Sequence, residues 1–281
     1  MIKYLKNLLY PVFLVSFLFS CTEEAPAPDQ DTVRESNMAM GNPSGAGTDA
    51  NNYLLEKPQY SLSYNSGKGI PNWVSWHLSK AWLGEAPRQD DFRADNTLPA
   101  GFTKVLNSDY TGSGFDRGHN CPSADRTGSE ADNSATFLMT NMIPQAPNNN
   151  QRTWASLESY CRTLVDQGNE LYVIMGNYGR GGDGSNGQKE TIASGKITVP
   201  SRIWKVIVVL PLGTNDVSRV TASTRVIAVD TPNSNSISND WDGYRTSVDA
   251  IETKTGYDLL SNVPAQVQNI LEAKVDTGPT Q

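Results

Sequence analysis

Residues 114–162 hold the one place in this chain where a histidine, two arginines, a carboxylate and several asparagines fall close together. At its centre is Asp116-Arg117-Gly118-His119. The chain has 2 histidines, His77 and His119. An imidazole is the side chain that takes and gives protons near neutral pH, so acid–base chemistry by histidine has two candidates. His77 lies in Trp73-Val74-Ser75-Trp76-His77-Leu78, an alternating run that reads as a half-buried strand histidine. His119 follows the turn-prone Thr111-Gly112-Ser113-Gly114 and precedes a polar run, Asn120 to Arg126. The glycine beside it allows another group to approach the backbone closely.

Several elements must position these residues. Phe115 to Asn120 reads as a short strand carrying His119 to its end. Directions alternate along a strand, so Arg117 and His119 share one face and Asp116 the other. Asp116 is expected to hold the turn or pair with an arginine. Tyr60 to Tyr64 and Trp73 to Leu78 alternate around turn chemistry at 65–69, a hairpin. Residues 85–99, with Arg88 and Arg93, read as a charged loop. Ala131 to Thr136 reads as a helical turn and Phe137 to Met139 as a short buried strand. A helix is expected from about Arg152 to Val165, with Trp154, Leu157, Cys161 and Leu164 as its apolar stripe. Asn150 suits its N-cap, and Glu158 and Arg162 share a face four residues apart. Residues 170–175, 195–200, 203–210 and 224–229 read as strands, the third continuously apolar and therefore central. Residues 248–255 and 265–273 read as helices. The class is α+β: a central, mainly antiparallel sheet flanked by helices.

Asp-Arg-Gly-His, then Pro122 to Arg126, Thr140 to Gln145, Asn148 to Asn150, Trp154 and Leu157-Glu158 come in an order that resembles the DNA/RNA non-specific endonucleases of the ββα-metal kind. The resemblance runs from about Tyr60 to Val263. It implies a metal-dependent endonuclease that cuts DNA and RNA, single or double stranded, to 5′-phosphorylated oligonucleotides. It also implies the residue roles. His119 deprotonates the attacking water. Asn150 ligates one Mg²⁺, for which Mn²⁺ can substitute; an amide oxygen is a hard donor for such an ion. Glu158 reaches the metal through water. Arg117, Arg162 and Arg88 clamp the phosphate, where a planar fork suits two oxygens, with Arg93 the weaker claimant to the position given to Arg88. Asn141 orders the site and is expected to reach substrate or metal water. Little in this set reads base edges, so sequence preference is not expected.

The chain has 281 residues, 37% of them hydrophobic, enough for one large domain with a real core. Its beginning reads as an address. Lys3 and Lys6 precede an apolar run from Leu8 to Phe19, too short to span a bilayer comfortably and suited to a signal peptide over residues 1–20. Leu18-Phe19-Ser20-Cys21 resembles a bacterial lipobox, with Cys21 as the lipidated residue. This implies an exported, membrane-anchored lipoprotein on the periplasmic or cell-surface side, or one released outside. Residues 21–55 are poor in large apolar side chains and read as a disordered tether, with the nuclease domain at 56–275. Cys121 and Cys161 flank the motif region, and a disulfide between them is left open.

The net charge of −7 speaks against a tight duplex binder but not against an enzyme with a few placed arginines and a divalent cation. The competing reading is an inactive, polymer-binding surface lipoprotein. A serine hydrolase lacks its Gly-x-Ser-x-Gly elbow, and 3 cysteines with 2 histidines lack zinc spacing.

Overall fold

A computed structural model describes residues 33–280. The strands in chain order are β1 (Thr48–Asp49), β2 (Asn52–Glu56), β3 (Ser61–Asn65), β4 (Ile70–Leu78), β5 (Asp116–His119), β6 (Met142–Gln145), β7 (Asn169–Tyr178), β8 (Gly182–Gly184), β9 (Gly187–Lys189), β10 (Thr191–Ile192), β11 (Ile197–Thr198), β12 (Arg202–Pro211), β13 (Arg225–Pro232) and β14 (Arg245–Thr246). The helices are α1 (Glu130–Ala135), α2 (Ala155–Asp166), α3 (Asp216–Arg219), α4 (Val248–Thr255) and α5 (Ala265–Leu271). Eight strands form one sheet in the order β1-β2-β3-β4-β7-β12-β13-β14. Each neighbouring pair is antiparallel. The α+β class with its mainly antiparallel sheet is thus observed.

Both faces of the central strands are buried, which is why β7 and β12 read as nearly unbroken apolar runs. Alternation still sorts the side chains. Trp76, Val173, Met175, Ile203 and Ile207 join one core, with Trp154 and Leu157 from the helix above. Trp73, Tyr172, Ile174, Trp204 and Val206 join the other, under Val248 and Ile251 of α4 and Leu271 of α5. The chemistry sits on the first face. There β5 and β6 pair antiparallel, with His119 opposite Met142 and Asp116 opposite Gln145. The helix that follows completes a ββα unit.

Several expectations are corrected. Residues 33–55 are folded, not a tether. Met40 is buried, β1 and β2 extend the sheet, and asparagine side chains hold the backbone. Asn42 donates to the Ala46 carbonyl at 2.9 Å and accepts from its amide at 2.8 Å. Asn37 likewise accepts from the His77 amide at 3.1 Å. Residues 1–32, with the signal peptide and Cys21, lie outside the described residues. Phe137-Leu138-Met139 is no strand: a turn runs into a 3-10 turn at Met139–Asn141. Of 195–200 only Ile197–Thr198 is extended, paired with β10 outside the main sheet. Cys121 and Cys161 are both free thiols, buried, with burial pushing each up to about 12. They are inert packing groups. Finally, β12 is not purely apolar, since Lys205 is buried in its middle.

Candidate active site

Strand β5 delivers Arg117 and His119 to one side, as alternation requires. The Arg117 guanidinium lies over the Phe92 ring at 4.1 Å, and the His119 ring meets the same phenylalanine edge-on at 5.6 Å between centroids. Phe137 closes the other side of the imidazole at 4.9 Å. Arg88 lies over Phe137 at 4.8 Å. Two aromatic rings therefore hold the imidazole, and a guanidinium rests on each ring. Gly118 is required between Arg117 and His119. A Cβ there would fall 2.2 Å from Oε1 of Gln145, so any side chain would force β5 and β6 apart.

Nε2 of His119 is buried with no hydrogen-bond partner. With Nε2 sealed off and the residue as a whole part exposed, Nδ1 is the nitrogen left to meet a water. Burial, and then the charges of Arg88 and Arg117, bring the imidazole down to about 3, so it is neutral at physiological pH. A neutral imidazole is the form that accepts a proton.

The three asparagines before the helix face three ways. Asn148 pairs with Asn235 through two hydrogen bonds, at 2.9 and 2.7 Å. Asn149 is buried and donates to Thr231 Oγ1 and the Pro232 carbonyl of β13. Asn150 donates its amide nitrogen to Oδ2 of Asp116 at 2.8 Å, and Gln151 donates to the same oxygen at 2.8 Å. A carboxylate accepts only, so the amide nitrogen must point at Asp116 and the amide oxygen away from it. Asp116 therefore pairs with no arginine and holds no turn. It sets the orientation of the amide expected to ligate the metal. Nor is Asn150 an N-cap: its own amide donates to the Ala146 carbonyl at 2.9 Å, inside the helix. That helix opens with a π turn at Asn149–Trp154 and continues as α2, so it begins earlier than its apolar stripe suggested.

A cleft of about 350 Å³ is lined by Arg88, Phe92, Asp116, Arg117, Asn150 and Gln151 among others. It gathers Arg88, Arg117 and Asn150 on one surface. His119 does not line it but lies behind Phe92, next to both arginines. Arg88 is held by Asp90 and by Ser123 Oγ, each at 2.7 Å, and Arg117 by Asn107. Arg93 pairs instead with Asp91 at 2.6 Å and bonds the Ser134 carbonyl, which makes it a loop clamp.

The other candidates are placed differently. Asn141 is fully buried and its amide is used up within the chain. It donates to the carbonyls of Cys121 and Thr136, both at 2.9 Å, and accepts from the Cys121 amide at 3.0 Å. It pins the segment leaving His119 and has no donor left for substrate, which corrects its expected contact. Glu158 and Arg162 do share a face of α2 but do not bond each other. Glu158 accepts from buried Lys205 at 3.3 Å, and burial raises its carboxyl pKa. Arg162 bonds Asp125 at 2.8 Å. Neither lines the cleft. Sequence reasoning missed Phe92, Lys205 and the orienting role of Asp116. A lysine inside Ile203-Trp204-Lys205-Val206 was the visible signal for the second; Phe92 had none.

Comparison with known proteins finds relatives over most of the chain. The family described as DNA/RNA non-specific endonuclease matches residues 38–266. A nuclease of Nostoc sp. is 48% identical over 270 residues, covering 94% of this chain and 96% of that protein. Nuclease C1 of Cunninghamella echinulata is 34% identical over 64% of this chain and 72% of its own. Human mitochondrial endonuclease G is 32% identical over 57% of this chain and 56% of its own. In a crystal structure of the EndoG/EndoGI complex, one chain is similar in fold, with a TM-score of 0.66 at 24% identity, covering 84% of this chain and 96% of that one. With its ββα unit, its arginine-flanked histidine and a match over most of its length, the chain belongs to the DNA/RNA non-specific endonuclease family.

Proposed function

We propose that the chain is a Mg²⁺-dependent endonuclease that hydrolyses DNA and RNA, single or double stranded, to 5′-phosphorylated oligonucleotides. One observation carries this reading. Asp116 fixes the Asn150 amide so that its oxygen is free, in a cleft shared with Arg88 and Arg117 and beside an unpaired imidazole. The donor set fits a small hard cation held by a single neutral oxygen, with room in the cleft for water and phosphate oxygens to complete its shell. The chemistry such an ion supplies there is neutralisation of charge on the departing 3′ oxygen.

The chain's own groups do the rest. Nδ1 of His119 accepts the proton of the attacking water. In the free enzyme this nitrogen is a weak base, held down partly by Arg88 and Arg117. A phosphodiester arriving between those guanidiniums cancels part of their field, so the imidazole gains basicity when substrate binds. The same guanidiniums stabilise the additional charge of the transition state. Glu158 and Arg162 support the helix side of the site through Lys205 and Asp125. None of these groups is arranged to read a base edge or a 2′-hydroxyl, which suits a sugar-non-specific enzyme. The test is digestion of plasmid and RNA with EDTA and with millimolar Mg²⁺, followed by end analysis of the products. Loss in EDTA, recovery with Mg²⁺ and 5′-phosphate ends are expected. Undiminished cleavage in EDTA would end the proposal.

The basic front at Lys3 and Lys6, the apolar run and Leu18-Phe19-Ser20-Cys21 support export and lipid anchoring at Cys21. Lipid-precursor labelling lost in Cys21→Ala is the expected result; labelling retained there would refute it.

A further inference from the structure

On the sheet face opposite the cleft, α4 and α5 bring three carboxylates together. Asp249 and Glu252 are one helical turn apart on α4, and Glu272 caps the C-terminal end of α5. One oxygen from each lies within 4.8 Å of the others. The backbone locks the two helices in this relation, since the Asp249 amide donates to the Glu272 carbonyl at 3.1 Å. Glu252 spends Oε1 on the Leu259 amide at 2.7 Å, which fixes its side chain. Glu272 is only 5% exposed, and its Oε1 is buried with no hydrogen-bond partner. The charges that bear on Glu272 are all negative: Glu252, Asp258 and Asp249. A buried acceptor without a donor, ringed by like charges, calls for a positive partner.

We propose that Asp249, Glu252 and Glu272 bind a calcium ion that fastens α4 to α5. Three carboxylates without nitrogen or sulfur select a hard cation. Calcium accepts several carboxylates in a flexible shell of about six to eight oxygens, whereas magnesium keeps most of its waters and takes one or two carboxylates, so a cluster of three favours calcium. The site is independent of Asn150. Val248 and Ile251 of α4 belong to the core on one side of the sheet, and Phe115, which lines the cleft, to the core on the other. The rival occupant is a proton, because burial and the neighbouring carboxylates push Glu272 up to about 8.

Thermal unfolding and calorimetric titration of the chelator-treated protein with CaCl₂ separate the two. Wild type and Asn150→Ala should each bind one Ca²⁺ at this site and gain about 3–5 °C in Tm at saturating ion. Glu272→Gln and the more exposed Asp249→Asn should lose that binding and that shift while cutting DNA at the wild-type rate in Mg²⁺. No Ca²⁺ response in wild type, or a response kept by both carboxylate variants, overturns the site. A Ca²⁺-insensitive wild type whose Tm falls as pH rises through 8 would assign the position to a proton and equally overturn it.

Discussion

His77 and His119 both stand on antiparallel strands, yet their surroundings differ in kind. His77 is fully buried and both ring nitrogens are engaged. Nδ1 accepts from the Glu35 amide at 3.3 Å, so Nε2 carries the proton it donates to Glu170 at 3.0 Å. Glu170 in turn accepts from Arg219 at 2.5 Å and from the Gly213 amide at 2.9 Å. His119 has aromatic rings on two sides, guanidiniums beyond them and no hydrogen bond from Nε2. The first ring is a satisfied joint between strand β4 and its neighbours. The second is held by shape and kept neutral by burial and by the two guanidiniums, with Nε2 unbonded. Satisfaction of hydrogen bonds, more than burial, distinguishes a structural histidine from a reactive one.

The sharpest way to break this contrast is to delete each ring. His119→Ala should lower kcat by about 10³–10⁴-fold with circular dichroism and Tm near wild type; plasmid cleavage at the wild-type rate would remove His119 from the mechanism. His77→Ala should do the reverse, costing about 2–4 kcal/mol in urea unfolding through a cavity and a lost partner for Glu170, with kcat per folded molecule unchanged. Asp116→Asn sharpens the account of the cleft. An amide can face Asn150 in either sense, so the orientation is no longer dictated, and the Mg²⁺ concentration for half activity should rise about 10–100-fold. An unchanged Mg²⁺ titration would show that Asp116 does not orient the ligand.

The smallest effect is in pH. The His119 pKa is depressed in the fold, so this group's contribution to stability is complete above the unfolded value near 6.5 and is lost as pH falls toward about 3. An NMR titration of the free enzyme should find the His119 ring still neutral at pH 5. Protonation there near 6.5 would contradict the proposed environment.

Strand order β4-β7-β12-β13 was not readable from local pattern, yet the strands themselves were, because Val, Ile and aromatic runs bounded by turns have few other uses. The motif residues were legible because Arg117, His119 and Asn150 sit in a distinctive run. Two of the failures share a cause. Residues 33–55 are held largely by asparagine and serine side chains bonding backbone, as when Asn52 donates to the Ser44 carbonyl at 2.9 Å. Composition counts such residues as polar and therefore loose. Asn141 failed likewise: whether an amide faces solvent or spends itself on Cys121 and Thr136 depends on contacts distant in sequence. Lys205 is tolerated inside the sheet only because Trp154 at 4.8 Å, Trp76 at 5.4 Å and Glu158 surround its ammonium.

The π turn at Asn149–Trp154 places one residue more in its coil than regular α geometry accepts. Excision of a residue there would let the segment relax into an unbroken α-helix with better-aligned backbone bonds, and would swing the Asn150 amide away from Asp116. Thermal robustness and turnover should then move in opposite directions, so a screen for hardier variants would tend to select molecules that no longer cut.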